Sequence, residues 1–559
     1  MAGKTSAQPM TGGMAIVEAL IANEVDRVFG LPGAQLYALF DALAQRSDVI
    51  ATIGARHEQA CGYMAFGYAR STGRPGVYAV VPGPGVLNTT AAMATALGCN
   101  APVLCITGEV PSTYLGRGRG HLHELPDQLA TLRTLTKWAA RIERAAEAPE
   151  VLNEAFRQMQ SGRPGPVAVE MAWDVMAATG FVEPRSGVSL SPASAPSPHE
   201  VEAAARLVVG AERPMIMTGS GAQHAAAAVR TLAEELDAPV AAFRGGRGVV
   251  AEDHPLGISS YGAYRLWADT DVLIGIGTRL EMPYMRWADT RTIIIDRPPA
   301  PPYLIRIDVD ASEMRRLVPH AGIVADADAG TRALLAAIRR MRNHVRAGDS
   351  KAARRRIATA KREARAAIEA VQPQLSYLDV IRAALPRDGF FVGELNQVGF
   401  TSYFGYPVYQ PRTYVSEGHQ GTLGFGFPTA LGVKVAHPDK PVVVVTGDGG
   451  FMFGVQELAT AIQYGIAVVI LVFNNKSFGN VLRDQETGFG NRVIGAMLDN
   501  PDFVALAKAF GLEAHHVASP QALGALLAEA LRSEKPVLIE IAIPPRSELS
   551  PWEFIHPRR

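Results

Sequence analysis

An acidic residue and an amide follow two apolar runs in the carboxyl-terminal third of the chain. Residues 441–445 lead into Gly447-Asp448-Gly449-Gly450, and residues 466–473 end at Asn474-Asn475. A helical pattern separates the two runs, so the order is strand, glycine turn, helix and strand. In a right-handed parallel unit the ends of two such strands lie side by side. The pattern therefore places Asp448 and Asn475 together at one edge of a sheet.

Oxygen atoms in this arrangement suit a diphosphate that is held through a divalent cation. Asp448, Asn475 and the main-chain carbonyl of Ser477 would supply three ligands. Two phosphate oxygens and a water would complete the roughly six that Mg²⁺ prefers. Glycines let the main chain approach phosphate groups closely, and a helix N-terminus favours an anion. The alternative is an ordinary glycine turn, but GDG followed by NN after the next buried strand is much more specific.

The stretch 446–480 resembles the thiamine diphosphate (ThDP) signature, and the resemblance covers nearly the whole chain. The chain is similar to the acetolactate synthase and benzoylformate decarboxylase group of ThDP enzymes. This resemblance implies ThDP and Mg²⁺ as cofactors. It also implies a homodimer or homotetramer, because in that family the cofactor lies between the first domain of one subunit and the third domain of another.

The resemblance makes Glu58 the acid that hydrogen-bonds N1′ of the cofactor's pyrimidine. Protonation there favours the imino tautomer, which can take the proton from the thiazolium C2 and so form the nucleophilic ylide. A carboxyl group in an apolar pocket has the raised proton affinity that this role needs. The alternative is a helix-terminal acid favoured by the helix dipole. The presence of Asp448 and Asn475 in the same chain makes that alternative less favoured.

The resemblance implies further cofactor contacts. Leu423 matches the large apolar side chain that bends ThDP into a V, which brings the 4′-amino group against C2. The main chain of Gly421 would meet that amino group, although a glycine-rich turn with a core leucine would look the same. Several of the remaining matches are less specific and could equally be plain turns. The remaining cofactor contacts implied are Pro32, Gly33, Asn88, Asn396, Gln397, Gly447, Gly449, Gly450, Phe478 and Gly479.

The substrate side departs from acetolactate synthase. The phenylalanine and glutamine expected near the thiazolium are replaced by His123 and Glu124, and a lysine expected late in the first domain is replaced by Trp173. His121 and His123 are therefore candidates for proton transfer to or from a cofactor-bound adduct, because histidine titrates in the useful range. We take His123 and Glu124 as candidate catalytic residues. Two loop histidines without a catalytic role are the alternative.

Weaker candidates remain. Asn480 follows the NN motif and could face the substrate, and Arg117 and Arg119 could hold a carboxylate, although arginines in a glycine-rich loop are more often simply solvated. Residues Gly219-Ser220-Gly221 could belong to a nucleotide site in a middle domain, as in the flavin-containing acetolactate synthases. That signal is too short to predict FAD, so FAD is possible but not favoured.

Composition excludes several classes of protein. The chain has 559 residues, a formal net charge of zero and three cysteines without metal-like spacing. A neutral chain gives no electrostatic reason to bind nucleic acid or an anionic membrane. No apolar stretch approaches the roughly 20 residues of a membrane span, and no signal-peptide pattern opens the chain. The expectation is a cytoplasmic enzyme with a small-molecule substrate.

Alternating strand and helix patterns predict the α/β class, with three doubly wound parallel-sheet domains. We expect a pyrimidine-binding domain at 1–182, a central nucleotide-binding-like domain at 198–340 and a diphosphate-binding domain at 375–545. The proline- and serine-rich stretch 183–198 is expected to be a linker.

Four local expectations concern the ends and connections of the domains. Residues 1–12 should form a loose tail, and residues 293–295 a strand. The charged stretch 339–374 should form a solvated helical connector, with a nucleic-acid patch as the less favoured alternative. Residues 551–555 should pack over a neighbouring surface.

The function predicted is a ThDP- and Mg²⁺-dependent reaction of a 2-oxo acid. Decarboxylation to an enamine would be followed by addition to a second carbonyl, as in acetolactate synthase. A 2-oxo acid decarboxylase or another carbon–carbon lyase is the runner-up, because His123, Glu124 and Trp173 put the synthase in doubt. A silent homologue that only binds ThDP is disfavoured by the retained Glu58. A nucleotide-dependent oxidoreductase is disfavoured by the lack of a complete dinucleotide fingerprint.

Overall fold

The computed structural model describes residues 6–190, 195–287, 303–342 and 350–557. Three domains follow one another, and each contains a parallel sheet of six strands flanked by helices. The prediction of an α/β protein with three doubly wound domains is therefore confirmed. Within the described ranges, the search for a helix with the length and apolarity of a membrane span finds none.

The first domain carries a sheet that is buried on both faces. On β4, Val77 and Ala79 belong to one apolar cluster, whereas Tyr78 and Val80 belong to another. Alternate residues of a strand point to opposite faces, so both faces are covered. The strands are β1 (Gln8–Thr11), β2 (Arg27–Gly30), β3 (Ala51–Gly54), β4 (Gly76–Val80), β5 (Val103–Glu109), β6 (Trp138–Ile142), β7 (Val167–Ala172) and β8 (Thr179–Val182). The helices are α1 (Gly12–Ala22), α2 (Tyr37–Gln45), α3 (Glu58–Thr72), α4 (Pro84–Asn88), α5 (Thr90–Gly98), α6 (Gln128–Leu135), α7 (Ala148–Gln160) and α8 (Trp173–Ala177).

The central domain has its own core, which includes Ile216, Ile274 and Ile305 from neighbouring strands. Its strands are β9 (Pro214–Thr218), β10 (Val240–Ala242), β11 (Gly257–Ile258), β12 (Val272–Ile276), β13 (Tyr303–Asp308) and β14 (Ala321–Val324). Its helices and the connector helix are α9 (Pro198–Val209), α10 (Ala226–Leu236), α11 (Ser260–Trp267), α12 (Ala311–Arg316), α13 (Ala327–Arg342) and α14 (Ser350–Ile368).

The third domain completes the chain. Its strands are β15 (Phe390–Gly393), β16 (Tyr414–Ser416), β17 (Val442–Gly447), β18 (Val469–Asn474), β19 (Glu513–Val517) and β20 (Val537–Ala542). Its helices are α15 (Gln374–Ala384), α16 (Gln397–Gly405), α17 (Gly426–Ala436), α18 (Asp448–Phe451), α19 (Leu458–Gln463), α20 (Gly479–Gly488), α21 (Phe503–Ala509), α22 (Pro520–Ala530) and α23 (Trp552–Ile555).

Strand order places the two outer domains in one topological class and the central domain in another. The first sheet runs β3-β2-β4-β5-β7-β6 and the third β16-β15-β17-β18-β20-β19, which is the same order. The central sheet runs β11-β10-β9-β12-β13-β14, the order of dinucleotide-binding folds. In such sheets a ligand binds at the carboxyl ends of the strands where the order reverses. This point lies between β2 and β4 in the first domain and between β15 and β17 in the third.

The first and third domains of one chain pack through α3 and α17. A Cβ atom at Gly67 would overlap the carbonyl oxygen of Thr429, and one at Gly432 would overlap that of Met64. The two helices therefore approach so closely that only glycine fits at both positions. Nearby, the ring of Phe425 meets Tyr63 edge to face at 5.5 Å.

Two local predictions are wrong in part. Residues 8–11 are not a loose tail but the strand β1, which pairs with β8 in an antiparallel ribbon. The connector is helical in α14, as predicted, but it is not simply solvated. Ile357, Ala364 and Ile368 on one of its faces are buried, and Lys361 donates to the carbonyl oxygens of residues 252 and 254.

The carboxyl-terminal segment packs on its own chain. Phe554 contacts Tyr261 of the central domain at 5.0 Å and Phe404 of the third domain at 5.3 Å between ring centroids. The strand predicted at 293–295 lies outside the described residues. The predicted domain limits stay predictions, and the three sheets span 27–172, 214–324 and 390–542.

Candidate active site

The GDG and NN motifs meet at the carboxyl ends of the neighbouring strands β17 and β18 in the third sheet. Gly447 at the end of β17 pairs in register with Phe473 of β18, so Asp448 and Asn474 leave adjacent strands side by side. Asp448 is buried, and burial raises the pKa of its carboxyl group. Asn500 donates one hydrogen bond to Asp448 Oδ2 at 2.7 Å and another to Asn474 Oδ1 at 3.0 Å. Asn500 was not predicted, and it fixes the orientation of the acid.

Asn475 and Ser477 form the other side of this edge. The amide oxygen of Asn475 accepts from Ser477 N at 3.1 Å and from Ser477 Oγ at 3.0 Å. The amide nitrogen of Asn475 donates to Glu548 Oε2 at 2.7 Å. Burial raises the pKa of the Glu548 carboxyl group. Glu548 comes from the carboxyl-terminal segment and was also not predicted.

This edge fits a diphosphate held through a divalent cation. A carboxylate, an amide oxygen and a main-chain carbonyl are the hard oxygen ligands that Mg²⁺ prefers. A Cβ atom at Gly449 would overlap the ring of Phe478, and one at Gly447 would lie 3.2 Å from Asn396 Cβ. Both glycines therefore lie in close contacts that leave little room for a side chain. No group of three or more His, Cys, Asp or Glu able to hold a metal occurs in the described part of the chain, so a metal here would depend on mixed oxygen ligands.

A buried carboxyl group joins the two loops that would hold the cofactor. Glu394 follows β15 and accepts from Gly424 N at 2.5 Å and from Thr446 Oγ1 at 2.6 Å. It is 2% exposed, and burial raises its pKa to about 7. Gly421 and Gly424 have φ angles of 61° and 76°, which favour glycine. Glu394 therefore fixes the loop that carries Leu423 against the strand that ends in the GDG motif.

The loop after β15 also contains two predicted cofactor contacts. Asn396 caps α16 by accepting from Gly399 N at 2.9 Å. Gln397 is buried and receives a hydrogen bond from Arg483 at 3.2 Å. A Cβ atom at Gly479 would lie 3.0 Å from the amide nitrogen of Asn475, so α20 begins beside this predicted metal ligand.

The predicted pyrimidine side lies at the carboxyl ends of β2, β3 and β4 in the first sheet, where the strand order reverses. Glu58 opens α3, and its Oε2 accepts from the amide nitrogen of Asn88 at 2.9 Å. The turn with Pro32 and Gly33 lies beside the turn before α4, because Cβ atoms at Gly33 and at Gly85 would both lie 2.6 Å from methyl groups of Val81.

His123 lies next to this side and is oriented by a residue that was not predicted. Its Nδ1 lies 2.9 Å from Oε1 of the buried Gln35, whose amide nitrogen donates to Leu122 O at 2.8 Å. The main-chain carbonyl of His123 lies against Gly83, at the turn before α4. Glu124 instead accepts from the main-chain amides of residues 119, 120 and 121, and these bonds hold the pKa of its carboxyl below the usual range. A catalytic role for each of the two stays a prediction.

The weaker candidates are scattered. Asn480 accepts a hydrogen bond from the indole nitrogen of Trp552, so its side chain is engaged by the carboxyl-terminal segment. Arg117 and Arg119 are exposed, whereas the ring of His121 packs on Tyr114 at 4.1 Å. Trp173, which begins α8, is also exposed.

The Gly219-Ser220-Gly221 turn borders a cleft between the central domain and the two outer domains. Gly219 packs against the carbonyl of Gly277, and the cleft has a volume of about 390 Å³. Arg70 and Arg244 line it, and two nitrogen atoms of the buried Arg244 guanidinium have no hydrogen-bond partner among the described residues. The expectation that FAD is possible but not favoured stays a prediction.

The cofactor residues of one chain form two separate groups. Glu58, Asn88 and Gly33 belong to the first domain, and Asp448 and the residues around it belong to the third. In the parts of the chain that the structure describes, no hydrogen bond joins Glu58 to the groups around Asp448. Thr95 of α5 and Thr422 of the loop before α17 connect the first and third domains through hydroxyl oxygens 3.2 Å apart.

Comparisons with known proteins identify the family of the three domains. Three family models match in order: the thiamine pyrophosphate enzyme N-terminal TPP binding domain at 10–131, central domain at 201–334 and C-terminal TPP binding domain at 396–541. A probable 2-ketoarginine decarboxylase of Pseudomonas aeruginosa is 34% identical over 90% of this chain and 88% of its own length. A probable acetolactate synthase large subunit of Methanococcus aeolicus is 32% identical over 97% of this chain and 93% of its own. The acetolactate synthase isozyme 1 large subunit of Escherichia coli is 31% identical over 98% and 97%.

Proposed function

The chain belongs to the thiamine pyrophosphate enzyme family, and from this premise we propose that it is a ThDP- and Mg²⁺-dependent enzyme that decarboxylates a 2-oxo acid. Acetolactate synthase-like carboligation, in which a second carbonyl compound is the acceptor, is the reaction proposed first. The observation that carries the proposal is the position of Asp448, Asn475 and Ser477 at the carboxyl ends of the neighbouring strands β17 and β18.

The chain's own residues have distinct tasks in this reaction. When bound, ThDP supplies a carbon nucleophile for the 2-oxo carbonyl and an acceptor for the electrons that CO₂ leaves behind. Asp448 and Asn475 would hold the cation and, through it, the diphosphate, and Leu423 would contact the cofactor. Glu58 holds the proton at N1′ of the pyrimidine, and the hydrogen bond from Asn88 keeps its carboxyl group in place.

Simple decarboxylation is a second candidate, and the position of His123 favours it. Gln35 engages Nδ1 of this ring at 2.9 Å, which leaves Nε2 as the atom for proton exchange. A histidine near the reacting carbon can deliver the proton that releases an aldehyde. The similarity to the probable 2-ketoarginine decarboxylase points the same way.

We also propose a homodimer or homotetramer in which the first domain of one subunit and the third domain of another close each site. The matches of the first and third domains to the N-terminal and C-terminal TPP binding domains of the thiamine pyrophosphate enzyme family support this arrangement. The three cysteines are free thiols, which supports the cytoplasm as the location.

The test is incubation of the purified protein with ThDP, Mg²⁺ and a panel of 2-oxo acids that includes pyruvate, benzoylformate and 2-ketoarginine. CO₂ and products are followed, with Glu58→Gln and Asp448→Ala as controls. Acetolactate from pyruvate supports the carboligase, and CO₂ with free aldehyde supports the decarboxylase. Consumption of none of the acids by a protein that still binds ThDP would refute the panel's substrate class. Activity that survives Asp448→Ala would refute the proposed metal site.

A further inference from the structure

We propose that Glu548 is a positioning residue for the metal ligand Asn475, and that it makes the carboxyl-terminal segment part of the cofactor site. This inference rests on the proposed function, because it assigns a role toward the cation of that site. The contact that suggests it is the 2.7 Å hydrogen bond from the amide nitrogen of Asn475 to Glu548 Oε2.

The chemistry of an amide explains why such a partner is needed. An asparagine side chain carries one acceptor oxygen and one donor nitrogen, and only the oxygen can bind Mg²⁺. An ionised carboxylate accepts hydrogen bonds and donates none. Glu548 therefore accepts the hydrogen bond from the amide nitrogen of Asn475. The amide oxygen is then directed toward Ser477 and the proposed metal site. Partners of this kind orient metal ligands and raise metal affinity.

Glu548 is delivered to this place by a fixed main chain. Its carbonyl oxygen accepts from Arg483 at 3.1 Å, and the same guanidinium donates to Gln397 at 3.2 Å. The next residue, Leu549, donates to Gln372 O at 3.1 Å and accepts from Gln374 at 2.6 Å. Arg483 thus links the carboxyl-terminal segment to the residues that follow β15. Its positive charge offsets the negative charge of the Glu548 carboxylate.

A second ion pair in the same segment provides a matched control. Arg546, which lies two residues before Glu548 in the chain, pairs with Glu486 of α20 at a distance of 2.6 Å. This pair also ties the segment to the third domain, but neither residue contacts Asn475 among the described interactions. Loss of Glu486 therefore removes a tether of similar kind without removing the partner of the amide.

The experiment is a calorimetric titration of Mg²⁺, and separately of Ca²⁺, into protein mixed with ThDP. Glu548→Ala should raise the Kd for Mg²⁺ by about 10- to 100-fold. Ca²⁺ should lose less affinity, because it tolerates irregular ligand geometry whereas Mg²⁺ does not. Glu548→Gln keeps an acceptor oxygen and should recover most of the Mg²⁺ affinity. Glu486→Ala should leave both Kd values unchanged.

Two results would overturn the inference. One is an unchanged Mg²⁺ Kd in Glu548→Ala. The other is a loss of affinity for both metals that is equally large in Glu548→Ala and in Glu486→Ala. The second result would mean that the segment only stabilises the fold. If the alanine variant does not fold, Glu548→Asp takes its place, because it keeps the charge but shortens the reach by one methylene. A wild-type protein that binds neither ThDP nor Mg²⁺ would instead refute the proposed function, and this inference with it.

Discussion

Glu394→Gln should stabilise the protein at alkaline pH. The carboxyl group of Glu394 is 2% exposed, and burial raises its pKa from 4.5 to about 7. A glutamine keeps the shape of the protonated side chain. It can accept from Gly424 N and donate to Thr446 Oγ1, which in turn can donate to the carbonyl of Gly447. The variant thus keeps the hydrogen bonds and loses the charge.

The size of the effect follows from the linkage between proton binding and folding. Because the pKa is raised in the folded state, the folded protein binds this proton more tightly than the unfolded chain does. The wild-type protein therefore loses stability as pH rises from 4.5 to about 7, while Glu394→Gln does not. The rise of the Glu394 pKa from 4.5 to about 7 corresponds to about 3 kcal/mol of stability that separates the two proteins at pH 8 but not at pH 4.5.

The assay is thermal unfolding of both proteins between pH 5 and pH 8, without cofactor. With an unfolding entropy of about 2.1 cal/mol/K per residue, 3 kcal/mol corresponds to a difference of about 8 °C if the third domain unfolds as a unit of about 170 residues. It corresponds to about 3 °C if all 559 residues unfold together. The exposed Glu529 of the same domain supplies the control Glu529→Gln, which should show no pH-dependent difference. A difference between wild type and Glu394→Gln that stays constant across this range would refute the reasoning.

Three further outcomes are expected. Gly67→Ala should lower stability by about 1–3 kcal/mol in thermal unfolding, because the new methyl group overlaps the carbonyl of Thr429; an unchanged midpoint would contradict the close helix packing. Arg247→Met should cost about 3–5 kcal/mol in denaturant unfolding, because it removes the buried guanidinium that lies 2.8 Å from Glu252, whose side chain is 12% exposed. Addition of Glu252→Gln should recover part of that loss, and no recovery would argue against the ion pair. ThDP with Mg²⁺ at 100 times the Kd should stabilise the protein by about 2.7 kcal/mol, and a chelator or Asp448→Ala should remove the shift in a thermal scan.

The sequence predicts those parts of the site that repeat a local pattern. Asp448 and Asn475 each follow an apolar run, and parallel strands bring such ends together wherever the rest of the chain lies. Glu58 and Asn88 were implied by the resemblance, and the structure brings them within 2.9 Å. In each of these cases the position depends mainly on the strand or helix that carries the residue.

The parts that were not predicted depend on contacts between distant residues. Glu548 reaches Asn475 across 73 positions, and Glu394 reaches Thr446 across 52. The strand β1 needs residues 179–182 as its partner, so nothing in its own polar sequence indicates a strand. For Glu394 a signal was present, because an acid at the end of a parallel strand lies at the ligand-binding edge.

The glycine contacts between α3 and α17 restrict how the enzyme can move. Two helices whose main chains touch have no layer of side chains that could repack, so hinge or shear motion between the first and third domains of one chain is costly. Glu58 opens one of these helices, and the loop with Leu423 leads into the other. Hydrogen exchange at the amides of both helices should therefore be slow and change together. Surface loops are less restricted, as in the stretch 116–120, where Gly116, Gly118 and Gly120 have open space around them.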